Sequence, residues 1–283
     1  MGSGARSQTA EICAAIRAMH FLHGERPLVF EDPVAIELVG PGWREACLRG
    51  DEFGLNSGAG VVLGRCRYAE DLLEAAVRSG VDQYVILGAG LDSFALRRPD
   101  LLATIRVYEV DQPATQAWKR ERLAELGREL PAALEFVAAD FEQETVAEAL
   151  GRSSYRSDRR AFFSWLGVLA FLTHAAILRS LESLAAASAP GSEVIFDYQV
   201  SHEFLDPQDV PLIQEADEFI AQIGEPKRSW LNPLTFPNEV CALGFDLIEN
   251  LSPKQLEERY FAGRSDGLRP MPHRYYAHFR RRR

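Results

Sequence analysis

Residues able to do chemistry gather in the middle of the chain, each set at the end of a short apolar run. The first run, Gln83 to Leu87, leads into Gly88-Ala89-Gly90-Leu91-Asp92. Glycine at such a point lets the backbone turn sharply out of a strand and lets a ligand approach where a Cβ would stand. The second run closes on Glu109-Val110-Asp111. That is about 20 residues beyond the glycines, where a carboxylate accepts hydrogen bonds from ribose hydroxyls. The third closes on Asp140-Phe141, an acceptor for an exocyclic amine beside an aromatic face that suits adenine. Any one of these acids is as readily a cap for the helix that follows. Three at successive strand ends define one nucleoside pocket.

The glycine turn departs from the dinucleotide fingerprint, whose third glycine supports tight helix packing below a pyrophosphate, because Ser93 follows here. A cofactor without a pyrophosphate fits better, and S-adenosylmethionine, with a ribose diol, an adenine and an amino-acid end, is such a molecule. A nicotinamide dehydrogenase is disfavoured on the same ground. No Ser/His/Asp constellation, acid/base carboxylate pair or metal motif is evident. His174, placed after Thr173 at the end of the fourth apolar run, is the catalytic candidate, and an exposed first-turn residue is its plainer reading. His20 and His23 read as packing or surface residues. Phe219, Trp230 and Phe236 are candidates for lining an aromatic-substrate pocket and equally explicable as core aromatics.

The elements that must position these residues follow from periodicity. Gln83–Leu87, Ile105–Val110, Leu134–Ala138, Ala161–Leu166 and Glu193–Tyr198 each look like a buried strand, and Phe245–Asn250 and Tyr275–Arg280 add two more. Helical spacing over 113–126, 142–150 and 173–187 fills most of the gaps. Such alternation predicts an α/β fold: a doubly wound, mostly parallel, seven-stranded Rossmann-like sheet whose ligand lies at the carboxyl ends of the strands. Before it, apolar residues Ile12, Ala15, Ile16, Met19 and Leu22 predict an amphipathic helix over 9–23, and 65–79 predicts a helix preceded by a glycine-rich hinge or helix start at 54–64. The expected organisation is an N-terminal helical lid over 1–60 and a cofactor-binding domain over 61–283, with an insertion at 201–242 after the fifth strand as substrate cover.

With 283 residues and 47% hydrophobic content, the chain can bury one large core. A net charge of −10 disfavours nucleic acid as a partner. The cluster Arg280–Arg283 reads as a solvated tail. Cys13, Cys47, Cys66 and Cys241 are scattered without metal or disulfide spacing, so reduced thiols are expected. No apolar run reaches the roughly 20 residues of a membrane span and no secretory signal opens the chain, so a cytoplasmic location is expected.

The chain resembles the leucine carboxyl methyltransferase family, whose glycine turn reads Gly-Ala-Gly-Leu-Asp and whose second strand ends Glu-Val-Asp. Both strings stand here, as Gly88–Asp92 and Glu109–Asp111. The likeness continues through Arg65-Cys66-Arg67-Tyr68, Phe163 to Gly167, Pro190-Gly191-Ser192, Arg259 to Arg264 and Asp266 to Arg269, and looks closest to the bacterial branch with tetracenomycin-type carboxyl O-methyltransferases. It implies that the carboxylate of S-adenosylmethionine is held by Arg65, with Arg67 the neighbouring candidate and Arg17 a further one from the first helix. It implies contacts to the cofactor from Gly88, Ala89 and Gly90, to the ribose from Glu109 and Asp111, and to the adenine from Asp140 and Phe141. One departure stands out. Relatives that modify phosphatases carry a glutamate where this chain has Leu166, which weakens a C-terminal leucine as the acceptor.

The expected activity is methyl transfer to an oxygen of a small molecule, a carboxylate before a hydroxyl. A carboxylate of ordinary pKa is already ionised at neutral pH and needs placement more than a base, whereas a phenol gains from one. A module that binds S-adenosylmethionine without turnover is the alternative from another class. The intact glycine turn, both strand-end acids and Arg65 speak against it.

Overall fold

In the computed structural model, which describes residues 7–40, 42, 55–141 and 143–283, the apolar runs form one sheet. Its strands are β1 (Gln83–Leu87), β2 (Arg106–Asp111), β3 (Leu134–Ala138), β4 (Ala161–Trp165), β5 (Glu193–Gln199), β6 (Phe245–Leu251) and β7 (Arg274–Arg281). They lie in the order β3-β2-β1-β4-β5-β7-β6. The first five pair in parallel, and β7 runs antiparallel between β5 and β6. The chain winds outward from β1 to β3 and then returns to β4 on the other side of β1. This reversal opens a crevice at the carboxyl ends of β1 and β4, where doubly wound sheets hold ligands.

Helices cover both faces. In chain order they are α1 (Gln8–His23), α2 (Ala35–Leu38), α3 (Leu55–Arg78), α4 (Phe94–Arg97), α5 (Pro99–Leu102) and α6 (Pro113–Glu125), followed by α7 (Val146–Leu150), α8 (His174–Ala187), α9 (Val210–Gln222), α10 (Phe236–Ala242) and α11 (Pro253–Tyr260). Alternate residues of the strands feed two cores, as period-two geometry requires. Val85, Leu87, Phe163, Trp165 and Phe196 join one, with Ile177, Leu181 and Leu184 of α8. Tyr84, Ile86, Phe162 and Ile195 join the other, with Leu63, Ala69 and Leu73 of α3. Among the described residues no helix is long and apolar enough to cross a membrane.

Several element boundaries shift from the sequence reading, three of them at helix starts with a visible cause. The helix expected from Arg65 begins at Leu55, so the glycine-rich stretch is helical. Its glycines are there for close packing: a Cβ on Gly60 would collide with the carbonyl of Arg269, and one on Gly64 with Leu256. The helix expected at 142–150 begins at Val146, because Thr145 and Glu148 form a capping box that fixes the start. In α8 the Thr173 side chain accepts from Ala176 N–H at 3.3 Å, which moves the first helical residue to His174. Cys47 and the stretch 43–54 lie outside the described residues. Cys13, Cys66 and Cys241 form no disulfide, and burial pushes the Cys66 thiol up to about 12.

Candidate functional site

A cavity of about 370 Å³ occupies the crevice. Its floor is the glycine turn. Gly88 and Ala89 donate to Val110 O at 2.8 and 3.2 Å, which curls the chain as it leaves β1. Gly88 and Gly90 sit at φ of +70° and +52°, where side chains are strained. Nearby Val168 would block a Cβ on Gly88, and Ala10 of α1 lies 2.9 Å from where one on Gly90 would stand. The turn is clamped from two sides. Arg17 of α1 donates to Leu91 O at 2.6 Å, and Lys119 of α6 donates to Asp92 O at 2.6 Å.

The wall follows from the next strand ends. Asp111 lines the cavity and accepts from the N–H of Gly90 and, at 2.6 Å, from that of Gln112. Burial nonetheless raises its pKa above the usual carboxylate value. Asp140 and Phe141 also line the cavity, and Gln143 donates to Asp140 Oδ2 at 2.9 Å. Arg65 enters from α3. Its guanidinium lies 3.8 Å from Asp197 Oδ2 and donates to Cys13 Sγ at 3.3 Å. A Cβ on Gly167 would collide with it, so glycine after β4 is what admits the arginine to the cavity.

Several candidates stand elsewhere. Arg67 is solvent-exposed and pairs with Asp71 at 2.9 Å, two residues and so roughly 200° round the helix from Arg65. Glu109 is buried behind the wall, paired with Lys119, and burial followed by that cation leaves its carboxyl at about 7. Asp111, two residues on along the same face of β2, stands at the strand's end and lines the cavity. Arg17, for which a solvated face was the plain reading, is 7% exposed and lines the cavity. There it is bound to Asp32 at 2.8 Å as well as to the glycine turn. Ser93 also donates to Asp32, at 2.6 Å, so Arg17 serves as a brace.

His174 does not line the cavity. It is half-exposed at the first turn of α8, 2.8 Å from Glu239. Trp230 is exposed and Phe236 is core, while Phe219 alone of the three aromatics lines the cavity. His20 is buried and accepts from Val29 N–H at 3.0 Å.

Sequence reasoning passed over the far end of the cavity. Lys227, Arg274 and His273 line it there. Arg274 lies 3.3 Å from Asp197, and Lys227 pairs with Asp217. His273 is 1% exposed, and neither ring nitrogen has a partner. The only sequence signal was Pro226-Lys227-Arg228 inside the insertion and His273-Arg274 opening the last strand. Glu225 was also missed. It is buried at the first turn of α1, where its carboxylate accepts from Ser7, Gln8 and Thr9.

The residues present fit S-adenosylmethionine. The glycine turn is a cradle that Cβ atoms would fill. Beyond it stand a guanidinium for a carboxylate, an acid for a ribose diol, and an acid with an aromatic ring for an adenine. The profile of the leucine carboxyl methyltransferase family matches residues 10–185. A Bacillus subtilis (strain 168) protein named as an S-adenosyl-L-methionine-dependent methyltransferase, YktD, is 32% identical over 216 residues, covering 76% of this chain and 71% of that one. One of the same description from Mycobacterium avium (strain 104) is 33% identical over 223 residues, 75% and 71% of the two chains.

Solved structures share the fold. That of a methyltransferase from Thermobifida fusca YX has a TM-score of 0.63 at 16% identity, over 98% of this chain and 96% of that one. A duf574 family protein from Streptomyces avermitilis gives 0.66 at 16%, over 98% of each. By the match to its profile and by the Bacillus relative, the chain belongs to the leucine carboxyl methyltransferase family of S-adenosylmethionine-dependent methyltransferases.

Proposed function

We propose that the enzyme transfers the methyl group to an oxygen of a small molecule, a carboxylate, and does so by positioning, without a general base. The observation that carries this reading is His273. Among the described residues it is the histidine that lines the cavity, and burial, then Arg274, Lys227 and His202, hold its pKa well below the usual imidazole value. A base acting on a hydroxyl would have to become an imidazolium beside Lys227 and Arg274. Burial opposes any charge there, but the two neighbouring cations that oppose an imidazolium favour an anionic acceptor.

S-adenosylmethionine, when bound, supplies a methyl group already activated on a sulfonium. In this reading Arg65 holds the cofactor's carboxylate as a planar fork, with Arg17 bracing the turn beneath it. Asp111 accepts from the ribose, Asp140 from the adenine amine, and Phe141 packs on its face. Within the expected lid, α1, and within the insertion, α9, close the cavity over acceptor and cofactor. Residues of α1 and α9 that line the cavity support that role, since excluding water strengthens every electrostatic contact inside. An acceptor oxygen held in line with the methyl group then reacts from a near-attack position.

A chemical signature separates the two acceptor types. The enzyme is incubated with methyl-labelled S-adenosylmethionine and a panel of aliphatic acids, aromatic acids and phenols. Label that mild base releases as methanol marks a carboxyl ester. Label that stays on a phenol as a base-stable ether, with none on the acids, would overturn the carboxylate reading.

A further inference from the structure

Two buried cations and an unpartnered buried imidazole line one part of the cavity. Arg65 and Arg274 share one carboxylate, Asp197, at 3.8 and 3.3 Å. Asp197 already accepts from Gly167 N–H at 2.5 Å. Lys227 has Asp217. With Arg65 given to the cofactor's carboxylate, Arg274 and Lys227 each face the cavity beside one acid, in a wall where the Lys227, Arg274 and Asp197 side chains are 7%, 9% and 0% exposed. His273 adds a buried imidazole with both nitrogens unpartnered, on the residue next to Arg274. Buried polar groups without partners are rare and call for a missing one. Elsewhere the cavity walls carry apolar side chains, among them Phe171, Leu172, Leu212, Phe219, Ile220 and Met271.

We propose that Lys227, Arg274 and His273 form the seat for the acceptor's carboxylate, and that the acceptor is a monoanionic acid with an apolar body. This rests on the carboxylate reading above and says which residues enforce it. One carboxylate oxygen is held by the seat and the other faces the methyl donor. An ionised acid entering an apolar cavity loses its hydration, and only paired cations make that loss tolerable. A neutral alcohol or amide of the same shape makes no such pairing and leaves the seat desolvated.

The charge change also serves product release. When the acceptor oxygen forms its bond to the methyl carbon, the methyl–sulfur bond breaks, no proton moves, and the acid becomes a neutral ester. The seat that held the anion has nothing to pair with the ester.

Lys227 makes the seat sensitive to pH. Burial, then Arg274, lower its ammonium to about 8 against the opposing pull of Asp217 and Asp197. An anion binds best to the protonated form, so affinity is full below pH 8 and declines above it, where the free protein has lost the proton.

The test is calorimetry on the full chain with S-adenosylhomocysteine bound, using octanoate, phenylacetate and benzoate and the matching neutral amides. The expected result is that the preferred acid binds at least tenfold tighter than its amide at pH 7. That preference should shrink by about tenfold or more in Lys227→Met, the scale of a lost charge-assisted hydrogen bond. Lys227→Gln, which keeps a donor for Asp217, should lose it too, with S-adenosylhomocysteine affinity unchanged in both. The decline in acid affinity above pH 8 should vanish in both variants.

Acids and amides bound equally, or an acid preference and pH dependence intact in both variants, would overturn the seat. Labelled methyl transfer read in parallel separates the two claims. Esters formed equally by wild type and variants leave the carboxylate reading standing without this seat. Acids bound through Lys227 but never esterified keep the seat and end the carboxylate reading.

Discussion

The carboxylate of Glu225 accepts from the backbone N–H of Gln8 at 2.7 Å, tying the end of the insertion's long helix to the first turn of α1. Ser7 and Thr9 donate to the same side chain. A buried acid at a helix N-terminus is favoured by the unsatisfied N–H groups there and by the helix dipole. Glu225 thus latches together two segments that both line the cavity. Glu225→Gln keeps the size and loses the charge, which weakens the latch by about 1–2 kcal/mol. The dissociation rate of S-adenosylhomocysteine, followed by stopped flow, should rise about tenfold. A rate equal to wild type would remove the latch from the exchange step.

Arg65 is tested by what each ligand lacks. Lysine keeps the charge and loses the bidentate fork, so Arg65→Lys should weaken S-adenosylhomocysteine by about 1–2 kcal/mol. Methylthioadenosine, which has the nucleoside without the amino-acid carboxylate, should bind both proteins alike. Equal losses for the two ligands would show that the substitution disturbs the cavity instead of the carboxylate contact.

Asp111 predicts the complementary pattern. In the proposed reading its carboxylate is the acid on the ribose side, and Asp111→Ala should cost both ligands about 1.5–3 kcal/mol, the scale of hydrogen bonds to a charged group. Because Asp111 also accepts from Gly90 N–H, Asp111→Asn keeps an acceptor for the turn. It should recover part of the loss. A methylthioadenosine affinity unaffected by either change would take Asp111 off the ribose.

His20 gives the leader a pH dependence. Burial, then Arg264, lower its imidazole to about 4 while its Nε2 accepts from Val29 N–H. The folded pKa lies below the unfolded value near 6.5, so the unfolded chain takes up the proton first as pH falls. The stability of the neutral form is complete above pH 6.5 and is lost on the way down to pH 4. Urea unfolding of wild type and His20→Gln should show their difference shrinking by about 2 kcal/mol from pH 7 to pH 5. A difference that stays constant would place the His20 proton elsewhere.

How far the sequence could be read follows from what each signal depends on. The strands and the glycine turn are local patterns, and β1, β3 and the start of α6 stand where periodicity put them. Asp111 and Asp140 line the cavity because strand ends in this fold converge on one crevice. The choice between Arg65 and Arg67 was not local. It depends on which face of α3 meets the sheet, and Gly167, about 100 residues away, supplies the opening. Glu109 was misread because its partner Lys119 lies on the next helix and because it sits inside β2, one turn of the pleat short of the strand end where Asp111 reaches the cavity. Lys227 and His273 carry no motif at all. They meet only because the insertion folds back over the antiparallel strand β7, a contact no spacing announces.

The last expectation concerns proton transfer, which the proposed carboxylate reading does not need. His174 stands outside the cavity, 2.8 Å from Glu239, so His174→Ala should change turnover by less than about twofold, far below the 10²- to 10⁴-fold usual for a lost general base. His273 is inside, beside Lys227 and Arg274, where its protonated form is disfavoured. As a partner for the acceptor and not its base, His273→Gln should raise KM more than it lowers kcat. The two rate parameters should then respond to pH differently, since kcat/KM reports the free enzyme and kcat the loaded one. We expect kcat to stay flat from pH 6 to 9. By contrast, kcat/KM falls above pH 8 as Lys227 in the free protein loses its proton. A kcat that rises through an imidazole pKa near 6.5, and becomes flat and at least a hundredfold lower in His273→Gln, would make His273 a base. The acceptor would then be a hydroxyl.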